Sequence, residues 1–367
     1  MLRVQSCPRL PCGFDSFGKV PCEGCGSSLK PGEVYQWDPC ARNGSEGPRF
    51  SLFRVWWSAH AEEGDIMTMA QAGDTWTTRR LLDWMQEHFQ SRQVHAPDVT
   101  SQMLLSHVLG VEPIMLYTDP DRPASNEERA RLRELVARAA NHEPVQHLVG
   151  EGYFLGRSFE VTEAVLIPRT ATEVILQVVM DRHRGGAADG DVPGFRHALD
   201  LGTGSGCLAI SLALQVPGLQ VLATDASADS LEIAGRNIER HGVSEQVRLR
   251  EGNWFEAVEG EAPEGGFDLI VSNPPYIADA TWESLDASVR DHEPPGALRG
   301  GADGLECIRS ILEDVDGFLS PRGLFVLEFG DDQAQNVLRM GNELGPSRIQ
   351  RDAFGDERVL VIDRSGT

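Results

Sequence analysis

His197-Ala-Leu-Asp-Leu201 runs without a break into Gly202-Thr-Gly-Ser-Gly206, and the chain from 206 to 215 then reads as a helix. A buried strand feeding a glycine-rich loop and a helix is a compact ligand-binding unit. Glycines let the backbone turn tightly, and the positive end of the helix faces whatever sits above the loop. Gly204-x-Gly206-x-x-Ala209 also satisfies the dinucleotide fingerprint, so the loop alone leaves the ligand open.

Outward from this unit the chain alternates strand and helix. Strands are expected at 197–201, 220–224, 246–250, 267–272, 323–329, 346–350 and 358–363. Helices are expected near 171–183, 206–215, 227–240, 304–318 and 331–343. Such alternation predicts an α/β fold, a doubly wound and mostly parallel sheet of seven strands. Before it, residues 152–168 read as a hairpin around a Gly156-Arg157-Ser158 turn, with Phe154, Phe159, Val161 and Leu166 as its apolar positions.

Earlier still, about 70–145 predicts a small bundle of four short helices. Leu82, Met85 and Phe89 share one face of the first, starting near 76. Val99, Met103, Leu104 and Val108 point inward in the second, from about Asp98 to a stop at Gly110. The third covers Pro113 to Tyr117. Ser125-x-x-Glu128 opens the fourth as a capping box, with Leu132, Leu135, Val136 and Ala139 inward. The domain boundaries implied are an atypical extension over 1–66, a helical recognition domain over 70–148, a hairpin linker over 149–168 and a catalytic domain over 169–367.

The extension holds five of the seven cysteines, including Cys22-x-x-Cys25. Three readings stand for it: a zinc knuckle, a loosely folded Gly/Pro/Ser-rich segment, or a translation start at Met67 or Met69. With one CxxC and poor spacing to a second pair, no metal is expected. An odd cysteine count and no secretory signal point to a reducing cytosol. No apolar run reaches the length of a membrane span. Fifty-six acidic against 33 basic residues give a formal charge of −23. That balance argues against direct nucleic-acid binding, whose affinity comes from Lys and Arg on phosphates.

Three more positions carry chemistry. Asp225 closes the second strand of the sheet, 19 residues after Gly206, where a carboxylate accepts hydrogen bonds from both hydroxyls of a ribose, in NAD or S-adenosylmethionine. Trp254, after the third strand, can pack on the purine. Ser272-Asn-Pro-Pro-Tyr276 ends the fourth. There Asn273 offers an amide oxygen, Pro274 a carbonyl oxygen, and Pro275 and Tyr276 shape a flat slot. Two acceptors and an aromatic face suit a planar NH2 group, whose delocalised lone pair must be aimed before it can attack.

Together the glycine loop, Asp225 and the Asn273–Tyr276 run resemble the amino-methylating S-adenosylmethionine-dependent methyltransferases. Within these the chain is most similar to the peptide chain release factor N5-glutamine methyltransferases, over about residues 75–363. Further matching pieces are Glu143-Pro144-Val145-Gln146, Leu166-Ile-Pro-Arg169 with Thr172-Glu173, Trp254-Phe255, Glu293-Pro294, Gly301-x-Asp303-Gly304-Leu305 and Glu328-x-Gly330-x-x-Gln333. Thr170-Ala171 and Asn253 depart from the family, which usually has Pro-Asp and often Asp there.

The resemblance implies the seven-stranded Rossmann-like methyltransferase sheet and a cytoplasmic enzyme. Its substrate would be the glutamine of the Gly-Gly-Gln motif in class 1 release factors. By it Gly202, Thr203, Gly204, Ser205 and Gly206 pass beneath the methionine part of S-adenosylmethionine, Asp225 holds the ribose and Trp254 flanks the adenine. Asn273 and Pro274 accept the amide N–H bonds beside Pro275 and Tyr276. A DNA adenine-N6 methyltransferase is the alternative. It would need base flipping and a basic recognition region, which a charge of −23 does not supply.

Overall fold

The computed structural model describes residues 75–189 and 194–365. The CxxC pair and the candidate start methionines lie outside them. Four helices come first: α1 (Thr78–Ser91), α2 (Pro97–Leu109), α3 (Asn126–Ala140) and the short α4 (Val145–Val149). Thr77 caps α1, and Ser125 with Glu128 closes the expected capping box on α3. The α2 face differs from expectation. Leu104, Leu105 and Val108 are buried beside Thr100 and Ser101, whereas Val99 is 51% exposed and Met103 only half-buried. The helix starts at Pro97, and the buried set follows a stripe one position round from the one read from apolar residues alone. Residues 113–117 form a 3-10 turn.

A hairpin follows, β1 (Glu151–Phe154) with β2 (Arg157–Glu160). Its turn is Leu155-Gly156 rather than 156–158, with φ of 48° and 72°. A two-residue hairpin loop needs left-handed backbone at both positions, which frees Arg157 and Ser158 for the strand. Residues 161–168 leave the strand and continue toward the sheet.

The remaining elements are α5 (Glu173–Asp189), β3 (His197–Leu201), α6 (Cys207–Gln215), β4 (Gln220–Asp225), α7 (Ala228–His241), β5 (Val247–Glu251), β6 (Phe267–Ser272), α8 (Ala287–Arg290), α9 (Glu306–Phe318), β7 (Leu319–Glu328), α10 (Ala334–Leu344), β8 (Ser347–Arg351) and β9 (Glu357–Asp363). The seven strands lie in the order β5-β4-β3-β6-β7-β9-β8. The first five are parallel, and β9 runs antiparallel between β7 and β8.

The inner strands β3, β4, β6, β7 and β9 are covered on both faces, which is why they read as near-continuous apolar runs, whereas the edge strands β5 and β8 are mostly half-buried or exposed. Along β7, Leu324 and Val326 point to the layer of α5, α6 and α7, and Phe325 and Leu327 to that of α9 and α10. Each such side chain is worth about 1.5–3 kcal/mol of burial. The order reverses between β3, which leads outward to β4, and β6. A crevice opens there at the strands' C-terminal ends.

Candidate active site

That crevice holds a cavity of about 530 Å³, within the usual range for a small-molecule site. Its floor is the loop from Gly202 to Ser205. Gly206 lies behind the floor as the left-handed residue before α6 (φ 82°). A Cβ there would press on Ile210 and Ala234, so the glycine lets the loop pack on α7. Asp200, fully buried at the end of β3, holds the loop from below. Its Oδ2 accepts the Thr203 hydroxyl at 2.7 Å and the Ala209 amide at 3.1 Å. Burial pushes its carboxyl up to about 7.

Asp225 reaches the cavity from the tip of β4. Its Oδ2 accepts the Gly204 N–H and its Oδ1 the Ser227 N–H, both at 2.9 Å, leaving each oxygen a lone pair for a ligand. Burial raises its pKa. Ser227, not Asp225, caps α7, through a bond from the Ser230 N–H. Asn237 of α7, fully buried, donates to the Ser205 carbonyl at 2.9 Å and to the Glu160 carbonyl at 3.0 Å. One side chain thus ties the hairpin to the glycine loop.

After β5, Asn253 and Trp254 line the side wall. Trp254 has φ of 39°, a left-handed conformation that costs a bulky residue of order 1–3 kcal/mol. It brings the indole within 3.5 Å of where a Gly202 Cβ would stand.

Asn273 and Pro275 line the wall beyond β6, and Pro274 and Tyr276 complete the same loop outside that lining. Asn273 Nδ2 donates to Thr172 Oγ1 at 3.1 Å, which leaves Oδ1 free. The Tyr276 hydroxyl donates to Glu328 Oε1 at 3.2 Å. Burial beside that carboxylate raises the phenol, and burial pushes Glu328 itself up to about 7. Past the slot, Ile277 pairs with 298–300, and Gln333 Nε2 donates to the Tyr276 carbonyl at 2.9 Å and the Gly304 carbonyl at 3.2 Å.

Several residues at this site had no role assigned from sequence. Glu293, in the segment between β6 and α9, is buried and pairs with Arg169, and its Oε2 accepts the Ile167 N–H at 3.1 Å. This bond straps Leu166–Thr172 to Pro294–Ala297 across the cavity, and both stretches contribute walls. Thr172, Cys207 and Cys307 also line it. Burial raises both thiols, Cys207 to about 12, so neither is a nucleophile at neutral pH. One sequence signal pointed at Glu328: a lone carboxylate inside the apolar run Leu324 to Phe329.

Residues 80–150 match the PrmC N-terminal domain family, and residues 171–291 the methyltransferase small domain family. A release factor glutamine methyltransferase of Geobacter sulfurreducens is 41% identical over 80% of this chain and 98% of its own length. That of Chlorobaculum tepidum is 38% identical over 76% and 94%. Among solved structures, a methyltransferase from Pyrococcus furiosus is 23% identical, covers 57% of this chain and 90% of its own, and has a TM-score of 0.42.

Proposed function

Since the chain belongs to the release factor glutamine methyltransferases, we propose that it methylates the side-chain amide nitrogen (N5) of the glutamine in the Gly-Gly-Gln motif of class 1 peptide chain release factors, with S-adenosylmethionine as donor. The observation that carries this reading is the free Oδ1 of Asn273, on the wall of the cavity floored by the glycine loop.

The cavity suits the donor. A carboxylate with spare lone pairs, a bare backbone loop and an indole are the partners that a ribose, a methionine tail and an adenine require. In this reading Gly202 to Ser205 cradle the tail, with Gly206 shaping the loop from behind. Asp225 holds the ribose and Trp254 flanks the purine. When bound, the sulfonium supplies an electrophilic methyl and its own leaving group. Asn273 Oδ1 and the Pro274 carbonyl accept the two amide N–H bonds, Pro275 and Tyr276 bound the slot, and the amide lone pair is held in line with the methyl. Positioning of this kind is worth up to about 7–11 kcal/mol. The strongly raised Tyr276 phenol stays protonated, so it serves as a wall and a hydrogen-bond donor rather than a base. The proton lost from the methylated amide passes to water.

Mass spectrometry of a release factor incubated with the protein and labelled S-adenosylmethionine tests this. The expected result is one labelled methyl on the Gly-Gly-Gln glutamine. An unlabelled glutamine together with methylated DNA adenine would replace this reading with the adenine-N6 one.

A further inference from the structure

The free oxygen of Asn273 has a structural cause. An asparagine amide has a donor end and an acceptor end, and only its neighbours decide which faces a ligand. The neighbour here is Thr172, the last residue of the 3-10 turn before α5, buried and 101 positions away in sequence. Its Oγ1 takes the Asn273 N–H. A hydroxyl has one proton, so after accepting from Asn273 it donates elsewhere. The acceptor facing it is the carboxylate of Glu328, at the end of β7 and wholly buried. Glu328 Oε1 takes the Tyr276 hydroxyl, while Oε2 is buried with no hydrogen-bond partner. Glu328 thus holds Tyr276 directly and keeps an unfilled acceptor for the Thr172 hydroxyl beside it.

We propose that Thr172 and Glu328 are positioning residues that set the polarity of Asn273, turning its amide oxygen rather than its NH2 toward the substrate nitrogen. This rests on the reading of Asn273 as an acceptor for a substrate amide. A reversed amide would set donor against donor at the reacting nitrogen. With Glu328 ionised, above about pH 7, it only accepts, and the order of donors then runs one way from Asn273 through Thr172 to Glu328. Arg358 from β9 and Arg169 from the stretch before α5 favour that ionised form, and burial opposes it.

The test uses the full chain with a release factor under single-turnover conditions. Thr172→Val keeps the shape and removes the hydroxyl. It is expected to slow methyl transfer about 10- to 100-fold, the scale of a misaligned reacting group. Affinity for S-adenosylhomocysteine, measured by calorimetry, should stay within about threefold, since the cofactor loop keeps its own ties. Thr172→Ser restores the hydroxyl and should recover the rate to within about threefold. Glu328→Gln should be slow alone yet add less than its full effect to Thr172→Val, because both act through one chain of bonds. A Thr172→Val rate equal to wild type overturns the proposal. So does Thr172→Ser as slow as Thr172→Val, or losses that multiply in full. A wild-type protein that leaves the glutamine unmethylated removes the functional reading, and this one with it.

Discussion

The half-buried Asn273 and the buried Asp200 show how differently two polar side chains serve one site. In the proposed reading Asn273 faces the substrate amide. Asn273→Ala is expected to leave S-adenosylhomocysteine affinity within a few-fold while cutting single-turnover transfer by about 10²–10³, the usual loss for one preorganised hydrogen-bonding group at a reacting centre. Calorimetry and quench-flow on the same preparation separate the two effects. Asp200 only braces the loop, at a cost that depends on pH. Its carboxyl stands at about 7 when folded against an ordinary 3.8, so the folded state holds the extra proton between those values. Its contribution is therefore full below about 3.8 and lost progressively as pH rises from there through about 7, a change of order 4 kcal/mol. Asp200→Asn keeps an acceptor for Thr203 and removes the charge. The variant's melting temperature relative to wild type should climb between pH 5 and pH 8, and a flat difference would contradict the raised carboxyl. That Asp225, Trp254 and Asn273 line the cavity was legible in the sequence because each sits at or just past the C-terminal end of a strand. Thr172 and Glu293 were not. Their partners lie 101 and 124 residues away, and no local pattern joins them.

At the scale of elements, regular segments were readable and the connections were not. Every strand of the sheet lies within a few residues of where alternation placed it, because the inner strands, buried on both faces, cannot avoid an apolar run and the more exposed edge strands β5 and β8 follow the well-marked helices α7 and α10. The stretch from Ile277 to Gly304 gave no period, since it consists of short turns and α8 held by backbone bonds between its own two ends, Ile277 and Asp279 with 298–301. Its shape depends on close approach. Gly304 has φ of 75°, and a Cβ there would stand 2.4 Å from the Tyr276 carbonyl and 2.6 Å from Gln333 Nε2. Gly304→Ala should therefore displace the slot. The expectation is a loss of about 1–3 kcal/mol in stability with a larger proportional loss of transfer than of cofactor affinity. Gly110→Ala is the control. It has a similar φ of 65° but nothing within 4 Å, so it should lower the melting temperature and spare transfer.

For the molecule as a whole, the order of elements was expected from sequence, but not the strap by which Arg169 and Glu293 join the two walls of the cavity. The periodic apolar faces read from the sequence begin only after Met67. A chain starting at Met67 is therefore expected to melt within a few degrees of the full protein and to methylate at a similar rate. Loss of both folding and activity on that truncation would show that the leading residues belong to the working enzyme. The place of β9 has a consequence for synthesis. It enters between β7 and β8, so β7 must wait with one edge unpaired, its apolar side chains already assembled on β6. Between the end of β7 at Glu328 and the start of β9 at Glu357 lie 28 residues. At roughly 5–20 residues per second, a ribosome needs about 1.5–6 s to make them. During that interval the nascent sheet offers β7 as a template for any passing strand. The strand closing that window is the one made last.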